Sequence, residues 1–167
     1  SHWGMVLGHV GFAICIIGIT LVSNYEMERD VRMDIGDTVS LGGYDFSFRD
    51  VVKVQGPNFE ADKGVFDVYQ DGELIAHLEP EKRLYIVQRM PMTEAAIHSN
   101  PIRDLFIAMG EPLDNGAWAI RIYIKPFVIW LWAGAVVMAI GGIFSISDKR
   151  YRCLLYTSDA ADDSGCV

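Results

Sequence analysis

Two runs without a charged side chain, 4–22 (GMVLGHVGFAICIIGITLV) and 127–146 (FVIWLWAGAVVMAIGGIFSI), constrain this chain more than any other feature. At about 1.5 Å per helical residue, each is long enough to cross the roughly 30 Å hydrocarbon core of a bilayer. Trp130 and Trp132 near the start of the second run suit a membrane interface, and Pro126 just before it suits a helix start. The first run lacks the basic leader and the small-residue cleavage site of a signal peptide, so both runs read as membrane-spanning helices.

On a helical wheel Gly4, Gly8, Gly11, Cys15 and Gly18 share one stripe of the first helix, while His9, Ala13, Ile16 and Thr20 fall nearly opposite. The glycine stripe, with a GxxxG from Gly4 to Gly8, predicts close approach of another helix, and Ala135, Ala139 and Gly142 predict a similar face on the second helix. His9 is the one ionisable side chain well inside either run, apart from the lone thiol of Cys15. An imidazole at bilayer depth is costly unless it is paired, ligates a metal or faces a polar cavity. The residues alone leave two readings open, a functional ligand or a neutral histidine bonded to a neighbouring helix.

Between the helices lie about a hundred residues, 25–124, with eighteen acidic and ten basic side chains, which is the whole formal charge of -8. Such a segment must be solvated, and its acidity excludes nucleic-acid binding through phosphates. Basic residues flank both ends of the helices, Arg29, Arg32, Arg121 and Lys125 on one side and Lys149, Arg150 and Arg152 on the other, so they do not set the orientation.

Period-two alternation dominates this middle segment. Tyr44, Phe46 and Phe48 alternate with Asp45, Ser47 and Arg49 after Gly42-Gly43, and 65–70 and 73–78 flank Asp71-Gly72, a type I′ hairpin signal. Further strands are expected at 39–41, 51–54, 83–87, 104–108 and 117–124, a short helix at 92–97, and a polar juxtamembrane stretch at SNYEMERDVRM. The fold class is therefore membrane α plus β: two transmembrane helices of a larger polytopic bundle flanking a small antiparallel β barrel or sandwich. The domain bounds are a helix at 1–24, a β domain at 25–124, a helix at 125–147 and a basic flank at 148–152; the residues alone leave open which side the β domain occupies. The last stretch, 153–167 (CLLYTSDAADDSGCV), continues neither helix nor flank and resembles translated sequencing-adapter read-through.

Setting that tail aside leaves Cys15 alone, which excludes a disulfide framework, a CxxC redox pair and a c-type haem attachment site, and makes Cys15 a small packing residue. No phosphate-binding loop, dinucleotide fingerprint or HExxH is present. His77 in a strand and His98 in a loop read as ordinary surface or core residues. His2 and His9, two turns or roughly 10 Å apart on one face, cannot both bind one iron. If His9 is an axial haem ligand, the opposite ligand must come from another helix.

The order GMVLGHVG, NYEMERDVRM, MTEAAI, RDLFIAMGE, GAWAIRIYIKPFV and DKRYR resembles the C-terminal end of the CcmF/NrfE family of cytochrome c-type biogenesis membrane proteins, over 4–152. The resemblance implies part of a bacterial haem lyase, a multi-pass inner-membrane protein that works with the haem chaperone CcmE, with CcmH/CcmI and with apocytochrome c. It also implies a transmembrane b-type haem fed by quinol, with His9 of GMVLGHVG matching one of its axial histidines and thus its iron ligand, an extracytoplasmic (periplasmic) β domain and a cytoplasmic flank. Catalytic residues are not assigned, and the family's tryptophan-rich haem-handling segment and partner histidine are not in this sequence, so the piece alone is not expected to be active. The other reading is a membrane-anchored periplasmic β domain that docks proteins and has no redox role of its own.

Overall fold

The computed structural model describes residues 2–87 and 89–147. The expected basic flank at 148–152 and the tail at 153–167 lie outside the described residues. The chain divides into two compact units, one containing the helices and the other spanning Asn24–Pro126.

In the helical unit, α1 (His2–Tyr25) and α2 (Val128–Ser147) are both long and apolar enough to cross a membrane. They meet along glycines. Gly4, Gly11 and Gly18 are the buried residues of α1, and Gly134 and Gly141 those of α2. A methyl group on Gly11 would stand 2.7 Å from the Gly134 carbonyl oxygen, and one on Gly134 would stand 2.6 Å from Cys15 Sγ, so neither position admits a side chain without separating the helices. The buried glycines are seven apart, and the expected Gly4-xxx-Gly8 pair also meets the partner, since a methyl group on Gly141 would stand 2.8 Å from Gly8 N and 2.9 Å from the Gly4 carbonyl oxygen, although the space beside the Gly8 Cα is open. Gly142 also faces open space and Ala139 is exposed, which corrects the expected small face of α2: the glycines one position earlier in the helix face the partner. Cys15 packs in this seam and donates from Sγ to the Leu131 carbonyl at 3.3 Å.

The second unit is an antiparallel sandwich. One sheet has the order β1 (Met27–Met33), β10 (Trp118–Pro126), β9 (Arg103–Pro112), β8 (Ala96–Ser99). The other runs β2 (Thr38–Leu41), β3 (Tyr44–Gln55), β4 (Phe59–Gln70), β6 (Glu81–Tyr85), β7 (Pro91–Glu94), with β5 (Glu73–Leu78) on the second half of β4. Alternating apolar residues from both sheets make the core: Phe46, Phe48, Phe66 and Val68 from one, and Leu105, Ile107, Met109, Ile120 and Ile122 from the other, all at most 1% exposed. Phe48 and Phe66 are cross-strand partners with rings stacked at 4.6 Å.

The alternation and turn signals lead to most of these strands. Asp71 and Gly72 have the positive φ angles, 51° and 82°, that a type I′ turn needs. The expected strands at 44–48 and 51–54 form one twelve-residue strand, bent where a β-bulge interrupts the pairing between Phe48 and Asp50. Two expectations are corrected. Met27–Met33 is strand β1 rather than a polar connector, paired along its whole length with β10. No helix forms at 92–97: that stretch supplies β7, the last strand of one sheet, and β8, the last strand of the other, because Met92 pairs with Arg83 while Ile97 pairs with Phe106.

Candidate functional site

His9 stands in the second turn of α1, exposed, on a side of the helix away from the buried glycine seam. Its Nδ1 lies 2.8 Å from the Met5 carbonyl oxygen, one turn back. A carbonyl only accepts, so Nδ1 is the donor of this bond and Nε2 is the ring nitrogen left toward the surroundings. A second bond that fixes the tautomer and the ring plane is how ligating histidines are prepared. Thr20, on the same side, turns its hydroxyl inward and donates to the Ile16 carbonyl at 2.8 Å. The remainder of that side is apolar, with Phe12 and Ile16 about half exposed. A flat apolar macrocycle with an iron that needs an axial nitrogen fits such a surface.

Of the other histidines, His2 shares α1 with His9, while His77 and His98 lie on strands. His2 opens α1 and stacks edge-on with Trp3, and His98 is half-buried in β8 opposite Leu105. Among the described residues no three His, Cys, Asp or Glu side chains converge as a metal site would require.

His77 is an exposed side chain of the second unit. It projects from β5, directly opposite Asp67 of β4, and its Nδ1 is 2.6 Å from Asp67 Oδ1. The other Asp67 oxygen accepts from Arg49 Nε at 2.7 Å, and Arg49 also donates to the Tyr69 hydroxyl. Burial disfavours the Asp67 charge, but the hydrogen bonds from Arg49 and His77 outweigh it and hold the carboxyl below the usual carboxylate range. On the other sheet Arg121 clamps Asp30 from Nε and a terminal nitrogen at 2.6 and 2.7 Å. These hydrogen bonds lower the Asp30 carboxyl and raise the Arg121 guanidinium. Both partners are more than half exposed, so this clamp adds little stability.

The class is an acidic two-sheet sandwich inserted between two helices long and apolar enough to cross a membrane, the first of them carrying an imidazole bonded to its own preceding turn. Residues 24–126 match the family model described as the CcmF C-terminal beta-sandwich. The chain belongs to the CcmF family of cytochrome c-type biogenesis proteins. It is 53% identical to the CcmF of Pseudomonas aeruginosa over 157 residues, covering 94% of this chain and 24% of the relative. Identity to the CcmF of Escherichia coli K12 is 50% over 152 residues, 91% of this chain and 24% of the relative. The NrfE protein of Haemophilus influenzae is 38% identical over 152 residues, again 91% of this chain and 24% of the relative. A solved structure titled Cytochrome c Heme Lyase CcmF shares the fold, with a TM-score of 0.72 at 17% identity over 87% of this chain and 24% of that one. The chain thus spans about a quarter of the length of the relatives it matches.

Proposed function

We propose that this chain forms the C-terminal part of a bacterial inner-membrane haem lyase for cytochrome c maturation, with His9 as one axial ligand of a b-type haem held within the membrane. The observation that carries the reading is the His9 ring itself: Nδ1 is engaged by the Met5 carbonyl, so Nε2 faces outward from an apolar helix. A haem bound there would supply one-electron transfer. The chain's own contribution is to fix the Nε2 direction through the Met5 bond, to exclude water with Phe12 and Ile16, and to brace α1 against α2 through Gly11 and Gly134. Thioether formation requires reduced haem iron and free thiols in an oxidising compartment, so an electron source in the membrane is chemically useful. Quinol is the proposed donor. The sandwich would then lie in the periplasm and engage the haem chaperone CcmE, CcmH/CcmI and apocytochrome c. A rim for such contacts is available at the β6–β7 hairpin, where Val87 is 89% exposed and Ile86 and Met90 are each about half exposed.

The test is a reduced-minus-oxidised optical spectrum of the whole protein that carries this segment, wild type against His9→Ala at equal membrane insertion. Loss of a b-type α-band in the variant is the expected result. An undiminished band in the variant removes His9 from the iron, and a wild type that never shows haem under haem-replete growth favours the docking domain without redox role.

A further inference from the structure

We propose that Arg103 is an oxyanion site at the end of the sandwich where the chain passes into α2, and that its occupant is the phosphate of a membrane phospholipid headgroup. The inference rests on α2 being a membrane span and is independent of any haem at His9.

Arg103 opens β9 on the inward side, the side of Leu105 and Ile107, and is 8% exposed. A guanidinium is always charged, and a buried charge is costly unless it is paired. This one has only a neutral partner. Its Nε donates to the Tyr44 hydroxyl and its guanidinium carbon lies 4.1 Å from the centre of the Tyr44 ring. One terminal nitrogen is buried with no acceptor, and among the described residues no carboxylate forms an ion pair with Arg103. The acids nearest in the chain are otherwise placed: Asp104 alternates to the outer face of β9, and Asp45 accepts from the Ser40 hydroxyl. The backbone is fixed as well, because Asn100 Oδ1 accepts from the amides of both Ile102 and Arg103. A cation held in place without a counter-ion is the donor half of an anion site.

Strand register narrows the anion. Arg103 is the cross-strand partner of Pro126, the last residue of β10, and α2 begins two residues later at Val128, at most about 7 Å along the chain. Tyr44 belongs to the same end: a methyl group on Gly42, in the turn that leads to it, would stand 2.6 Å from Met27 Cε and 2.8 Å from Ile124 Cδ1. Outside the hydrocarbon core a bilayer has a headgroup layer roughly 5–7 Å deep on each side. The site therefore falls at the depth of phospholipid phosphates, whose paired oxygens match the guanidinium fork. Ile102, the residue before Arg103, is 65% exposed. An exposed aliphatic side chain next to an unpaired cation complements an amphipathic molecule better than a soluble anion, and the β8–β9 turn is the side from which a headgroup arrives.

The test takes the whole protein that carries this segment, in detergent, titrates it with dioleoylphosphatidylglycerol and counts bound lipid by native mass spectrometry. Saturable binding is expected, with one site lost or at least about tenfold weaker in Arg103→Met, the usual scale for a charge-assisted hydrogen bond. Arg103→Lys, which keeps the charge but not the fork, should fall between the two. The control is Lys53→Met, which removes a cation nine residues along β3 from Tyr44, roughly 30 Å away, and should bind lipid as the parent does. Inorganic phosphate in excess should leave the lipid bound; if it displaces the lipid from the Arg103 site, the occupant is a soluble oxyanion and the lipid assignment is overturned. Equal lipid binding by Arg103→Met and its parent overturns the proposal outright, and is the result if a carboxylate from elsewhere in the whole protein pairs with Arg103. The b-type band is read separately on the same samples, so failure of the His9 reading leaves this outcome untouched.

Discussion

Replacing Phe66 by alanine should remove a large share of the stability of the sandwich. Phe66 is fully buried and stacks on Phe48, also fully buried, at 4.6 Å and 5° between ring planes. Truncation to Ala returns on the order of 150 Å² of apolar contact to a cavity, which at about 25 cal/mol per Å² is about 4 kcal/mol. Direct Phe→Ala measurements in other cores span about 3–5 kcal/mol. For a domain of about a hundred residues that corresponds to a fall in Tm of roughly 15–30 °C. The assay is thermal melting by near-ultraviolet circular dichroism of the chain in detergent, with Phe106→Ala as control. Phe106 is half-buried on the outward face of β9 and meets Tyr123 edge-on at 5.6 Å, so its loss should cost about 1 kcal/mol. If Phe66→Ala melts no lower than Phe106→Ala, the two-sheet core described above is not what holds the domain together.

Other outcomes follow from individual contacts. Gly134→Val should separate α1 from α2, because its Cβ would fall 2.7 Å from the Gly11 carbonyl oxygen; a cysteine cross-link engineered between the helices should then form at a fraction of the parental rate. Arg103 is buried, bonded through Nε to the Tyr44 hydroxyl and left with one guanidinium nitrogen without a partner. Arg103→Met should therefore leave thermal stability equal or higher, while Tyr44→Phe, which strands the charge further, should lower it by about 1–3 kcal/mol. The depressed Asp67 carboxyl makes stability pH-dependent with a definite sign. Its contribution is full above the unfolded carboxylate value, about 3.9, and is lost as pH falls through the lower folded value. Asp67→Asn should thus be less stable than the parent at pH 7 and converge with it in strong acid, as followed by denaturant midpoints across pH.

How far the sequence carries depends on whether a signal is local. The helices, the Asp71-Gly72 hairpin and the alternating strand at Tyr44 announce themselves within ten or twenty residues, and the structure has them where they are expected. Strand β1 does not, because MERDVRM places charges on both faces, and only its pairing with β10, some ninety residues later, makes it a strand. Met92–Ile97 contains residues compatible with a helix, but the open edges at Arg83 and Phe106 claim its two halves for different sheets. His9 is legible as the imidazole of an apolar helix, whereas its tautomer depends on the Met5 bond and is not. The His77 pair is hidden by one extra residue. A regular hairpin around Asp71-Gly72 sets Asp67 opposite Ala76, and the register shift between Val68 and Tyr69 moves it to His77.

The strands by which the chain enters and leaves the sandwich are neighbours: Met27 pairs with Ile124 and Met33 with Trp118. Topologically, then, the domain is a closed loop of about a hundred residues whose two ends are stitched side by side. Closing so long a flexible loop costs roughly 4 kcal/mol of chain entropy, and once the β1–β10 ladder has formed that cost is already met. The end of α1 and the beginning of α2 are then delivered to each other as a tethered pair, and their glycine seam forms by an intramolecular search. Folding of the acidic insert is thus expected to precede efficient pairing of the two helices. A lesion in the β1–β10 ladder, remote from every glycine of the seam, should appear first as slow pairing of the helices.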